Sequence, residues 1–300
     1  MKKVLITGSN SFVGENVRRY LQSKGDCMVD VVDTIGEEWA NADYSKYDVV
    51  YHVAGIAHVN PSPKMKPLYY KINCDLAIKV AEKAKAAGVK QFIFMSSMIV
   101  YHESRSLGDE VITADATPHP SGFYGDSKLQ AEIGLKKLAT DDFKLCILRP
   151  PLIYGMNLRG NFPRLMKLAT LTPIFPAWHN KRSMCYIENL AEFVRQVIIR
   201  ELHGVFYPQN REYADTVEII RFFACESGHR IWISKIFNPF VLLGSKFIQS
   251  INKMFATYYY DESMSTYEFD YQLVSFRESL KRVSEDFKNN SNNADIGRGI

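Results

Sequence analysis

Cysteine is scarce and scattered in this sequence. The five, Cys27, Cys74, Cys146, Cys185 and Cys225, are odd in number and contain no CxxC pair. That pattern excludes a disulfide framework and predicts reduced thiols in a cytoplasmic protein. No Cys/His pair has the spacing of a zinc site. His52 and His58, six apart at a strand end, make a poor metal pair, and no metal is expected. Charge of one sign is lacking too. Thirty-seven Lys and Arg against 33 Asp and Glu leave +4, with no dense basic run, which argues against nucleic acid as a partner. No apolar run approaches the ~18 residues of a membrane span. The run Val4 to Ile6, after Met1-Lys2-Lys3, is too short for a secretory leader. Repeats are absent, and the one biased stretch is a polar tail, Asn289 to Ile300, expected to fray. What remains is an ordinary globular chain of 300 residues, 46% apolar and 23% charged, with room for one large domain or two modest ones.

The first half alternates two periodicities. Short apolar strands are expected at Lys3 to Thr7, Met28 to Asp33, Val49 to Val53, Gln91 to Met95 and Phe143 to Leu148. Between them lie helical patterns at Phe12 to Lys24, Pro67 to Ala87 and Gly122 to Ala139, the first two stopped by Gly25 and Gly88. Only 14 residues separate Asp33 from Asp48, so any helix there is very short. This alternation predicts an α/β fold with a doubly wound parallel sheet, in which ligands bind beyond the carboxyl ends of the strands. The second half is less regular. Helices are expected at Asn161 to Thr170, Glu188 to Glu201, Asp215 to Ser227 (capped by Asp215) and Pro239 to Met254, with short strands at Val205 to Tyr207 and Arg230 to Ile233.

Two constellations carry chemistry. Thr7-Gly8-Ser9-Asn10-Ser11-Phe12-Val13-Gly14 joins a strand to a helix. A dinucleotide turn needs small residues there, so that the backbone approaches a pyrophosphate lying on the helix N-terminus. Gly8 and Gly14 fill the outer positions, whereas Ser11 stands where a third glycine is usual. Asp33 follows 19 residues after Gly14, at the end of the second strand. An acid there accepts hydrogen bonds from ribose hydroxyls and repels a 2′-phosphate, which favours NAD over NADP. Alone, this loop would also suit a structural turn.

The second constellation is Tyr124-Gly-Asp-Ser-Lys128, which opens a helix. Its Tyr and Lys stand one turn apart on one face. An ammonium beside a phenol favours phenolate, lowering a pKa that starts near ~10, and such a Tyr exchanges protons with a sugar hydroxyl or ketone. Ser96 and Ser97 end the strand Gln91 to Met95 and lie 28 and 27 residues before Tyr124.

Together with His52-Val-Ala-Gly55, Asn73 and Leu148-Arg-Pro-Pro-Leu-Ile-Tyr-Gly155, these stretches resemble the extended short-chain dehydrogenase/reductase family, in its NAD-dependent epimerase/dehydratase branch. The resemblance spans about residues 1 to 210. It implies a Rossmann domain over 1–155 that also receives about 182–206, a smaller nucleotide-sugar-binding domain over 156–181 and 207–288, and a tail over 289–300. It implies that Gly8, Ser11, Phe12, Val13 and Gly14 hold the pyrophosphate and Asp33 the ribose. Asp43 with Tyr44 would meet the adenine, and Ala54, Gly55, Asn73, Pro151 and Ile153 would line the cofactor. Ser97, Tyr124 and Lys128 would be catalytic, the latter two also touching NAD. Ser97, Met98, Asn161 and Arg182 would contact the substrate. A homodimer built on the Tyr124 helix and the preceding long helix is also implied.

The second half is similar to bacterial capsule and O-antigen enzymes, which implies chemistry at C4 of a UDP-sugar. Two activities fit: an NADH-dependent reductase of a UDP-4-keto-6-deoxy-N-acetylhexosamine, the first expectation, and a 4-epimerase of UDP-glucose or UDP-N-acetylglucosamine using bound NAD. A 4,6-dehydratase is rejected, because the acid–base pair it needs after the catalytic hydroxyl would fall at Met98-Ile99. A non-catalytic nucleotide-binding regulator is the remaining class, and it would not need Ser97, Tyr124 and Lys128 together. The apolar stretch Pro239 to Met254, with Lys246 and Lys253, suits core packing or contact with a membrane or a membrane-bound glycosyltransferase.

Overall fold

A computed structural model describes residues 1–56, 62–102, 107–156 and 161–296. Six parallel strands form its central sheet, in the order Gly204–Phe206, Lys144–Leu148, Gln91–Met95, Val49–His52, Lys2–Thr7, Cys27–Val32. The inner strands read as unbroken apolar runs because helices cover both faces, and every residue of Gln91–Met95 and Val49–His52 is buried. On one face Val17 and Leu21 of the helix Phe12–Lys24 pack with Leu190, Phe193 and Val197 of Ile187–Ile199. On the other, Val80 and Ala84 of Leu76–Ala86 pack with Ala131 and Leu135 of Phe123–Lys136. The chain runs outward from Lys2–Thr7 to Cys27–Val32, then crosses back to Val49–His52. That reversal opens a crevice at the carboxyl ends of the first and third strands, where ligands of such sheets bind.

Local signals set these elements. Ser11 caps the helix Phe12–Lys24 by accepting from the Gly14 amide, and Gly25 closes it in the left-handed conformation at φ +74°. The expected helix from Pro67 to Ala87 runs from Lys66 to Ala86, with a π-helical segment, Tyr70–Asp75, in its middle. Between Asp33 and Asp48 only Glu38–Asn41 is helical.

The second half holds more strand than its sequence suggests. Asp109–Ile112 pairs with Thr257–Tyr260, Leu152–Tyr154 with Met184–Tyr186, and Ile174–Pro176 with Trp232–Ser234. One expectation is corrected. The single helix from Pro239 to Met254 is instead two, Asn238–Ser245 and Gln249–Phe255, folded back on each other. Gly244 permits the fold-back, since a Cβ there would sit 2.4 Å from Ile251 Cδ1. Asn252 fixes the turn by donating to the Ser245 carbonyl at 2.9 Å. Core packing accounts for only one side of this stretch: Val241, Ile251 and Met254 pack with the core, while Phe240, Leu242, Leu243, Phe247 and Ile248 are exposed. The helix that starts at Phe276 continues past Asn289 as far as Ile296. Phe287 packs against the core and Lys288 pairs with Glu226 at 3.2 Å, so the helix is anchored just before Asn289.

A buried ion pair ties the helix Phe123–Lys136 to the sheet. Arg149, just past Lys144–Leu148, donates from Nε and Nη2 to the two carboxylate oxygens of Glu132 at 3.0 and 2.5 Å. Neither side chain is more than 5% exposed. Removing one partner leaves a buried charge uncompensated, so Arg149→Met should destabilise the protein by about 3–5 kcal/mol. Glu132→Gln combined with Arg149→Met should recover most of that loss. Urea unfolding of the wild-type protein and the two variants checks both.

Candidate active site

Gly8 sits where only glycine fits. Its φ is +114°, and a Cβ would lie 2.8 Å from the Ala54 backbone nitrogen. The first turn and the loop after Val49–His52 therefore press together, leaving backbone rather than side chains facing the crevice. Ser11, the departure from a third glycine, has a local use. Its hydroxyl donates to the Gly8 carbonyl at 3.1 Å and accepts from the Gly14 amide at 3.0 Å. A Cβ on Gly14 would fall 2.5 Å from that hydroxyl. Phe12 and Val13 follow in the first helical turn. Asp33 accepts from the Ile35 amide at 2.9 Å, and this bond, with a further one from Ser9 of the glycine loop, holds its carboxyl below the usual range. A bare carboxylate thus stands beside the loop, where it fits ribose hydroxyls and disfavours a 2′-phosphate.

Asp43 and Tyr44 part company. Asp43 faces solvent and accepts from the Ser45 hydroxyl at 2.6 Å, which lowers its pKa. Tyr44 is 1% exposed in the core, with its pKa pushed up to about 12 by burial, so only its backbone is available to a ligand.

The lower floor of the crevice is polar and tightly bonded. Asn73, fully buried in the π-helical segment, accepts from the Ile56 amide at 2.8 Å and donates to the Ile56 carbonyl at 3.2 Å and the Ser127 hydroxyl at 3.1 Å. It thereby fixes the Ala54-Gly55 loop against the Tyr124 helix. A Cβ on Gly55 would lie 3.0 Å from Asn73 Oδ1 and 3.1 Å from Lys128 Nζ, so these two polar groups converge on one glycine. Lys128 is 4% exposed and donates to the Met95 carbonyl at 2.8 Å. Burial pulls its pKa down to about 8. Tyr124, one turn earlier, is half-buried, with its ring 6.1 Å from that of Tyr69. Ser97 is half-buried at the end of Gln91–Met95 and caps the short turn Met98–Val100.

Ser96, its neighbour, faces inward and donates to Glu132 at 2.5 Å, so Ser97 is the hydroxyl left toward the crevice. Met98 and Pro151 are buried beside it, joined by the Met98 amide to the Pro150 carbonyl at 2.9 Å, and Ile153 is half-buried.

Arg182 is bonded by its backbone to Ala214, and its guanidinium donates to the Lys253 carbonyl. Burial eases its pKa down to about 10, still a cation at neutral pH. Asn161 opens the helix Asn161–Leu171, but its side chain, like His58, lies outside the described residues.

Several buried polar residues went unread. Glu132 and Arg149 form the support beneath Ser96 and Lys128, and Arg149 also donates to the Tyr101 hydroxyl at 2.8 Å. Their signal was available: Ser127, Lys128 and Glu132 put polar groups on the buried stripe of a helix. His52 hydrogen-bonds Thr7 at 2.7 Å between two strand ends. Burial first, and Lys128 second, push its pKa down to about 3, so it stays neutral.

Residues 4–205 match the NAD dependent epimerase/dehydratase family, and the chain belongs to that family of enzymes. It is 31% identical over 255 residues to the UDP-glucose 4-epimerase of Vibrio cholerae, covering 77% of each chain. It is 28% identical over 211 residues to the N-acetyl-alpha-D-glucosaminyl-diphospho-ditrans,octacis-undecaprenol 4-epimerase of Escherichia coli O157:H7, covering 64% of this chain and 62% of that one. The crystal structure of UDP-glucuronic acid 4-epimerase from Bacillus cereus in complex with NAD superposes with a TM-score of 0.74 at 20% identity, covering 96% of this chain and 99% of that one. The family works with NAD, and the cleared space at Gly8, the free helix N-terminus and the Asp33 carboxylate fit that group.

Lys128 generates a pH prediction. Its folded pKa, about 8, lies below its ordinary value of 10.5, so the folded state carries a penalty while the amine is charged. Above pH 8 the unfolded chain binds the extra proton, and stability rises with pH. The ligand-free protein should gain up to about 1.4 kcal/mol per pH unit from this group between pH 8 and 10 relative to Lys128→Met, which lacks the slope. Denaturant titrations of both proteins across that range check it.

Proposed function

We propose that the chain is an NAD-dependent 4-epimerase of a UDP-hexose. What supports this reading is Lys128, one turn after Tyr124, bonded to the Met95 carbonyl two residues before Ser97 and reaching toward Gly55 beside the Gly8 crevice, in a chain 31% identical to a UDP-glucose 4-epimerase. Gly8, Ser11, Phe12, Val13 and Gly14 would hold the pyrophosphate, Asp33 the adenosine ribose, Asp43 with the Tyr44 backbone the adenine, and Ala54, Gly55, Asn73, Pro151 and Ile153 the nicotinamide side. NAD, when bound, would supply a reversible hydride acceptor at sugar C4, and epimerisation would require the 4-keto sugar to turn its other face before the hydride comes back.

The chain's own groups handle the proton. Tyr124, as phenolate, takes the proton of the C4 hydroxyl and later gives it back. Lys128 supplies the positive charge that keeps the phenol acidic, and the Met95 carbonyl holds that ammonium in place. Ser97 donates to the C4 oxygen and steers it toward Tyr124. Arg182 neutralises the diphosphate, with Asn161 and Met98 lining the sugar. Met98 and Ile99 cannot ionise, so those two positions supply no base for proton removal at C5 and elimination across C5 and C6.

The second reading is a reductase of a UDP-4-keto-6-deoxy-N-acetylhexosamine, which uses the same three residues but consumes NADH. Fold-level support for it exists: a dTDP-4-dehydrorhamnose reductase from Clostridium acetobutylicum superposes with a TM-score of 0.70 at 19% identity, covering 96% of this chain and 99% of that one.

Purified protein should release nearly one NAD per chain on denaturation and interconvert UDP-glucose with its C4 epimer with no net NADH loss. Rapid NADH oxidation with a freshly made 4-keto sugar, and no epimerisation, would establish the reductase instead. Tyr124→Phe should lower kcat about 10²–10⁴-fold with the fold intact. Wild-type turnover in that variant would exclude both enzymes.

A further inference from the structure

The segment from Ser227 to Tyr260 contains Arg230, Lys235, Lys246 and Lys253 and no acidic residue. Without those four cations the rest of the chain carries 33 positive and 33 negative residues, so the whole net charge of +4 resides in this one segment. The same segment presents the largest exposed apolar side chains of the second half. Phe247 is 80% exposed, Phe240 69%, Ile236 66% and Trp232 60%, and Leu243 and Ile248 are at least half exposed. They come from the strand Trp232–Ser234, the short turn Lys235–Phe237, the helix Asn238–Ser245 and the link that follows it, while Val241, Asn252 and Phe255 are the buried residues of the two helices. Scattered apolar residues on a surface mean little, but a cluster of this size in a segment whose charged side chains are all positive marks a binding face. Neither helix reaches a bilayer's thickness, and no helix among the described residues is long and apolar enough to cross a membrane.

We propose that this face docks on the surface of an anionic lipid bilayer without spanning it. An indole and phenyl rings seat at the headgroup level. Leucine and isoleucine enter the acyl boundary, and the lysines and arginine meet lipid phosphates. The charge decides the occupant. A soluble partner needs no excess of positive charge in this segment, and a copy of this chain would bring four more cations against the first four. The inner side of the hairpin is rigidly held: Asn180 donates to the carbonyls of Met254 and Ala256 at 3.0 and 3.1 Å, and Thr216 to Met254 at 2.8 Å. The apolar residues are therefore presented on a fixed base. This face lies outside the residues assigned to the sugar reaction, so the inference does not depend on the epimerase reading.

Flotation of the full-length protein with vesicles tests it. Protein should float with phosphatidylcholine–phosphatidylglycerol vesicles and stay behind with phosphatidylcholine alone, and raised salt should release it. Phe240→Glu with Phe247→Glu should reduce the bound fraction at least tenfold, without changing turnover of a soluble substrate or the melting temperature. As a second readout, anionic vesicles should shift tryptophan emission to the blue, and Trp232→Phe should remove that shift. Failure to bind either vesicle overturns the proposal. So does equal binding to both, or a dimer in sedimentation that the paired Glu substitutions dissociate while vesicles have no effect.

Discussion

Glu132 has no exposure to solvent, and the geometry of the reacting groups depends on where its charge is held. It lies one turn beyond Lys128 on the same helix and grips Arg149, which follows the strand next to Gln91–Met95. Ser96 adds a bond from the end of that strand. Two strand ends and one helix are thus locked by a single carboxylate. A charged pair in a dry interior tolerates little displacement, because every ångström of separation is taken in low dielectric. That stiffness suits a site where proton transfer requires groups held to fractions of an ångström. Lys128 gains from the arrangement as well, since Glu132 opposes the desolvation that would otherwise discharge its ammonium further.

Asn73 does for the loop what Glu132 does for the helix. A π-helical turn is rare and costs regular hydrogen bonding, and such turns concentrate at functional sites. Here the widened turn Tyr70–Asp75 carries an amide side chain that satisfies both the donor and the acceptor of Ile56 and still reaches Ser127. The crevice floor is therefore assembled before any ligand arrives. The histidine beside it, His52, is kept neutral by burial and bonded to Thr7, so the floor around Lys128 holds no second cation from that side.

Much of this was legible in the chain, for physical reasons that vary by region. In the first half, local signals coincide with the global fold. Ser11 and Gly25 end the first helix where the pattern does, and the strand Gln91–Met95 has the bounds its apolar run gives it. In the second half, pairing is set by distant partners. Thr257–Tyr260 pairs with Asp109–Ile112, nearly 150 positions earlier, and no local periodicity reports that. The fold-back at Gly244 was hidden likewise, since glycine inside an apolar run signals a stop only when something like Ile251 packs into the space it leaves. At the site, Ser97, Tyr124 and Lys128 were visible as types at a spacing, while the pairing of Glu132 with Arg149 was not, since it joins two different elements. A buried charge is invisible until the element that buries it is known.

The bond from the Arg182 guanidinium to the Lys253 carbonyl joins two regions that the chain keeps 71 positions apart. One end belongs to the strip of backbone beside Ala214 and Tyr258, the other to the second helix of the apolar hairpin. A shared hydrogen bond is a thermodynamic linkage and works in both directions. If Arg182 holds the diphosphate as proposed, movement of the hairpin and binding of that anion would bias each other by the same coupling. Its strength is a ratio of affinities, measurable from either end and required to agree.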